Sequence, residues 1–149
     1  MDTHTIAVVA ITVLTLVILA MDWVPTPLNK NIRQMSVSDR LPGTLAHSLM
    51  CLAFGVANLF GARWAIAAGG VWFSMVFAVA VLNWWLPYFF GVAKGEITPE
   101  NFRSRYAANT SILPPIRGRV IIPDLQHILI HTAIVLASLS SWWSFTNAT

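Results

Sequence analysis

Four stretches of this 149-residue chain are too long and too apolar for the interior of one small soluble domain. They run from Thr5 to Trp23, from about Thr44 to Phe60, from about Trp64 to Val92 and from about Leu125 to Phe145. Crossing the hydrocarbon of a bilayer takes about 20 apolar residues, with a range of about 17–25. The second run is at the short end. The third is long and contains Pro87, which predicts a kink or an emerging end there. None of the runs alternates apolar with polar residues as a barrel strand does. Helices, which satisfy their own backbone, are therefore the expected spanning form. Composition agrees. Hydrophobic residues make up 56% of the chain and charged residues 10%, against about 25% charged in a soluble domain. The expected fold is an all-α integral membrane protein, a single four-transmembrane-helix bundle over residues 1–149.

The basic residues give a direction. Segments 24–43 and 93–124 carry Lys30, Arg33, Arg40, Lys94, Arg103, Arg105, Arg117 and Arg119, which are eight of the nine. Only Arg63, in the turn after the second run, lies elsewhere. The positive-inside rule places both long loops in the cytoplasm and both termini on the non-cytoplasmic side, with the plasma (inner) membrane as the expected location. Confinement to two loops also argues for orientation in a bilayer over nucleic-acid binding. No Lys or Arg precedes the first run, so it reads as a retained helix rather than a signal peptide. The single cysteine, Cys51, excludes an internal disulfide. Trp23, Trp84 and Trp85 are expected at one membrane boundary, and Trp64, Trp142 and Trp143 at the other, as an aromatic belt. Asn147-Ala148-Thr149 matches a glycosylation sequon.

Within the loops, Pro42-Gly43 predicts that the first stays irregular up to that point. In the second, Thr98-Pro99-Glu100 predicts a capped short helix through about Ala108, with Phe102 and Tyr106 on one face. The following 111–123 segment, stiffened by Pro114-Pro115, is expected to be extended, and with Asn109 to fold as a lid over a polar layer at the helix ends.

Polar groups are costly in a bilayer, so their spacing is informative. Asp124, His127, His131, Ser138 and Ser141 form one stripe on the fourth run. His47, Cys51 and Asn58 share a face of the second, and Thr5, Thr12, Thr15 and Asp22 a face of the first. Asn83 lies near the loop-side end of the third, which also carries the small residues Gly69, Gly70 and Ala80. If each stripe avoids lipid, the stripes meet in a polar seam. Asp22, His47, Asn83, Asp124, His127 and His131 then collect in one layer at the loop-side end.

That layer suits four kinds of chemistry. His127 and His131, four residues apart on a helix, can aim ring nitrogens at one metal ion, with His47 as a third ligand and Asp124 as a ligand or an orienting partner. Zinc or another transition metal fits such a set better than haem held between His47 and a histidine of the fourth run. A small polar ligand is the other occupant, with Asp22, Asn83, Cys51, Arg103 and Arg105 as further candidate contacts. Buried Asp and His chains also serve proton pathways, which for so small a chain implies a homo-oligomer. A structural or assembly subunit of a larger membrane complex is the fourth reading, with His4 as an exposed terminal residue. Walker A, GxGxxG, GxSxG and CxxC motifs are absent.

Overall fold

The computed structural model describes residues 1–148, so Thr149 and with it the end of the sequon lie outside the described residues. Among the described residues the chain is all helical, with no strand. Helix α1 spans Thr3–Trp23. A short 3₁₀ turn at Lys30–Arg33 leads to α2, Val37–Leu59. Helix α3 runs from Arg63 to Phe90. The short helix α4, Pro99–Arg105, lies in the second loop, and α5 spans Leu125–Asn147. Three of these, α1, α3 and α5, are long and apolar enough to cross a membrane.

Three of the four long helices begin with a side-chain cap. Asp2 accepts the Thr5 N–H, and Asp124 accepts the His127 N–H. Ser36 and Asp39 cap each other's backbone in a reciprocal box. The Ser36 hydroxyl and N–H hold the Asp39 carboxyl below the usual carboxylate range. This box starts α2 seven residues before the apolar run and draws Pro42 and Gly43 into the helix, where an irregular end of the loop was expected. Pro42 removes the donor for the Ser38 carbonyl, and Ser38 is exposed, so water can take its place.

Helix α3 changes pitch near its end. Val81–Trp85 is a π turn, in which the Leu86 N–H reaches back to the Val81 carbonyl. Pro87 follows directly, with no N–H and a ring that crowds the preceding turn. The widened turn absorbs that crowding. The helix then stops at Gly91, whose φ of 72° is the left-handed cap position that glycine adopts without strain.

The four long helices pack as a ring in which α1 touches α2 and α5, and α3 touches α2 and α5. The core between them is Ile11, Leu14, Ile18, Cys51, Phe73, Ile134 and Ala137. Gly69 and Gly70 permit close approach between helices, with the rings of Phe54 and Trp142 lying against them. Outward positions are large and apolar on every helix of the ring: Leu16 is 60% exposed, Leu52 64%, Met75 62% and Leu139 63%. Apolar surface on that scale suits lipid and not water.

The threonine stripe of α1 does not line the seam. Thr5 and Thr12 are exposed, and the face that turns inward is Ala7, Ile11, Leu14 and Ile18. Thr12 and Thr15 donate to the carbonyls four residues back, so their hydroxyls need no partner helix.

At the end where the termini meet, Ser144 is fully buried, donates to Asn58 Oδ1 and lies 2.7 Å from His4 Nδ1. Asn58 Nδ2 donates to the Phe54 carbonyl, which fixes the amide and makes Oδ1 the acceptor. The one Ser144 proton is then spent, so His4 is the donor in its contact. His4 is therefore tied into the bundle and is not a free terminal residue.

Candidate functional site

At the opposite end the loops fold onto the helix ends. Asn29, fully buried, accepts from Thr26 and donates to the carbonyls of Met21 and Val24, which closes α1. Asn109 joins three segments: its Oδ1 accepts the Asn31 N–H, and its Nδ2 donates to Asp124 Oδ2 at 2.8 Å. Thr110 adds two bonds, from its hydroxyl to the Pro27 carbonyl and from the Leu125 N–H to its own carbonyl. Both loops thus lock onto the start of α5.

Asp124 is 2% exposed and fully used. Its Oδ1 takes the His127 N–H at 2.9 Å and lies 2.7 Å from His127 Nδ1. An acceptor-only carboxylate requires the proton on Nδ1, so in the neutral ring Nε2 carries the lone pair. The Trp84 ring lies against this one at a tilt of 31° with centroids 3.6 Å apart, and Tyr106 meets it edge-on at 5.2 Å. Trp84 is itself 5% exposed, packed against Phe102 and Tyr106. Burial also pushes the Tyr106 phenol above its ordinary value.

His131 has the opposite tautomer. The Trp85 indole N–H donates to its Nδ1 at 3.1 Å. An indole cannot accept, so His131 Nδ1 holds the lone pair and Nε2 the proton. The two rings lie 5.8 Å apart, centroid to centroid. They cannot both offer an Nε2 lone pair to one ion while these bonds stand. Among the described residues, no group of three or more His, Cys, Asp or Glu side chains is placed to hold a metal ion.

A cleft of about 270 Å³ opens between the loops and the helix ends, walled by Asp22, Asn31, His47, Tyr106 and His127 among others. A second cavity of about 170 Å³ lies deeper, inside the ring of helices, against Leu14, Cys51, Trp72, Phe73 and Ile134. Asp22, His47 and Ile130 line both.

The remaining expected site residues are dispersed. Asp22 accepts the Thr44 hydroxyl and faces both cavities. Asp124 and His131 lie behind the cleft wall, held by Asn109 and Trp85. Asn83 lines neither cavity; it accepts the Ile97 N–H and anchors the second loop close to Gly95. Arg103 and Arg105 are exposed on α4. Trp84 and Trp85, expected at a membrane boundary, lie against the histidines His127 and His131. Tyr106, which the sequence places with Phe102 on one face of the short helix beside Arg103 and Arg105, joins the cleft wall; so do Asn31 and Gln126, which were not singled out as contacts. Asn31 sits in a loop with no periodicity to mark it.

No family model matches the chain, and no curated protein or solved structure matches it either.

Proposed function

We propose that this chain is a four-span membrane protein whose loop-side cleft binds a small polar ligand. The observation that carries the reading is His127. Its ring is held by Asp124 and Trp84 and lines the cleft, and its Nε2 has no hydrogen-bond partner among the described residues. A ring fixed by a buried carboxylate on one nitrogen is an oriented acceptor on the other. Asp22 and His47 supply further polar walls, and the Asn109 bonds hold the cleft in shape before a ligand arrives.

Helix α2 is the fourth span in this reading. It has 23 residues and turns Leu45, Leu49, Leu52, Val56 and Leu59 outward. Asp39, Arg40 and Pro42 at its start lower its apolar character there and sit at headgroup depth. The two basic loops face the cytoplasm and the termini face away from it.

Two measurements test this. The purified full chain in nanodiscs is screened by thermal melting against small amines, carboxylates, phosphates and divalent cations. At least one solute is expected to raise the melting temperature of the wild type and not that of His127→Ala. A panel in which no solute does so overturns the binding site. Impermeant thiol labelling of single cysteines, introduced at Ser111 and at Thr146 in a Cys51→Ala background, tests the topology. Labelling of both from the same side overturns it.

A further inference from the structure

We infer that the ligand is a primary ammonium carrying a short apolar group, with the ammonium in the outer cleft and the apolar group in the inner cavity. This rests on the proposed binding site and names the class of molecule it takes.

Three side chains that line the outer cleft carry acceptor capacity not taken up within the protein. Asn31 is 5% exposed, and its Oδ1 is buried with no hydrogen-bond partner among the described residues. Such an orphan is unusual, because buried polar atoms are paired in the great majority of cases. The amide lines the cleft. Asp22 accepts one hydroxyl, from Thr44, and no Lys or Arg pairs with its carboxylate among the described residues. His127 presents the Nε2 lone pair derived above. These three acceptors come from the 3₁₀ turn, α1 and α5, and all three line one cavity.

A primary ammonium has three N–H donors and no acceptor. It offers donors to acceptors of this kind and a charge opposite to that of Asp22. An anion meets the reverse situation. The cleft's one guanidinium, Arg40, donates to the carbonyls of Asp22 and Ser36 and lies over the Trp23 ring at 4.8 Å. Two carboxylates, Asp22 and Asp39, line the cleft against this one guanidinium.

The inner cavity defines the other half. Protein interiors are close-packed, and voids larger than a water are few. A void of about 170 Å³ among Leu14, Phe73, Val76 and Ile134 is of that uncommon kind. Apolar cavities of similar size stay dry and take up apolar molecules. Its walls come from all four long helices, so it is a chamber of the bundle and not a groove for lipid on the outside. Because Asp22, His47 and Ile130 border both spaces, a molecule with a charged head and a short chain spans the two.

The test is calorimetric titration of the full chain in nanodiscs, with empty nanodiscs as the blank. The probes are n-hexylammonium, methylammonium and n-hexanoate. Hexylammonium is expected to bind, methylammonium to bind at least tenfold more weakly, and hexanoate not to bind. Asp22→Asn and Asn31→Leu each weaken hexylammonium by about tenfold, the scale of one hydrogen bond to a charge. Cys51→Phe fills the inner cavity; it reduces hexylammonium to the level of methylammonium and leaves methylammonium unchanged. Circular dichroism and gel filtration confirm that each variant is folded.

Equal binding of the two amines, with no effect of Cys51→Phe, overturns the apolar half. Hexanoate binding as well as hexylammonium, or amine binding unchanged in both polar variants, overturns the ammonium assignment. If no amine binds while another solute still stabilises the protein through His127, the ligand class is wrong and the binding site stands. If no solute acts through His127, the site itself falls.

Discussion

His127 Nδ1 lies 2.7 Å from Oδ1 of Asp124, and that same oxygen caps the helix on which His127 sits. One buried carboxylate therefore starts α5 and fixes the tautomer of a ring on its first turn. Removing it acts on both. Asp124→Ala is expected to lose the cap and to leave Asn109 Nδ2 without its best acceptor. The combined cost is about 2–4 kcal/mol, read as a lower midpoint in chemical denaturation of the detergent-solubilised chain. A change below about 0.5 kcal/mol would show that Asp124 is not the anchor.

His127 and His131 are expected to differ by NMR. In ¹⁵N-histidine-labelled protein, His127 should show a protonated Nδ1 and His131 a protonated Nε2, as their bonds to Asp124 and Trp85 require. Trp85→Phe removes the donor to His131; it should alter the His131 signals, leave those of His127 in place and cost about 1 kcal/mol. Identical tautomers at the two rings would contradict the assignment.

Two glycines give opposite signs. A Cβ at Gly70 would come within 2.9 Å of the Trp142 ring. Gly70→Ala should destabilise by about 1–3 kcal/mol through overpacking between α3 and α5. Gly43, inside α2, has nothing within 4 Å of the same added atom. Gly43→Ala should stabilise by about 0.5–1 kcal/mol by reducing the freedom of the unfolded chain. Both are read as shifts in thermal midpoint, and like signs would count against the packing described.

Tyr106 sets an alkaline limit. Burial raises its pKa in the folded chain above the ordinary 10.0, and the nearby Arg105 charge lowers it only partly back. The folded state thus holds the phenol proton more tightly than the unfolded one. The stability this contributes is present below about pH 10 and is lost as pH rises through the folded value. Tyr106→Phe should flatten the fall of stability in that window, measured by denaturant midpoints from pH 9 upward. An unchanged slope would place the titration elsewhere.

The sequence reveals the helices better than it reveals the site. Long apolar runs and polar caps act locally, so α1, α3 and α5 appear at nearly their observed positions, and Thr98 with Pro99 starts α4 as expected. The start of α2 was missed because the Ser36–Asp39 box outweighs Pro42, and a rule that reads proline as an end has no way to weigh a cap six residues earlier. His47, Asp22 and His127 were legible as one layer because each is a costly group near the end of an apolar run. The threonines of α1 obey the same spacing but satisfy themselves on their own carbonyls, so periodicity alone misplaced them. Asn31 and Asn109 come together only through loop contacts 78 residues apart, which no local pattern encodes.

The π turn at Val81–Trp85 makes the length of this stretch a quantity with meaning. Neighbouring residues on a regular helix point about 100° apart, yet Trp84 and Trp85 both reach histidines of the same neighbouring helix. Deleting one residue here would let the backbone close to ordinary pitch with its apolar character intact. The two indoles would then part company, one of them swinging out to the acyl chains. Spacing between Ala80 and Pro87 thus decides which way both indoles face.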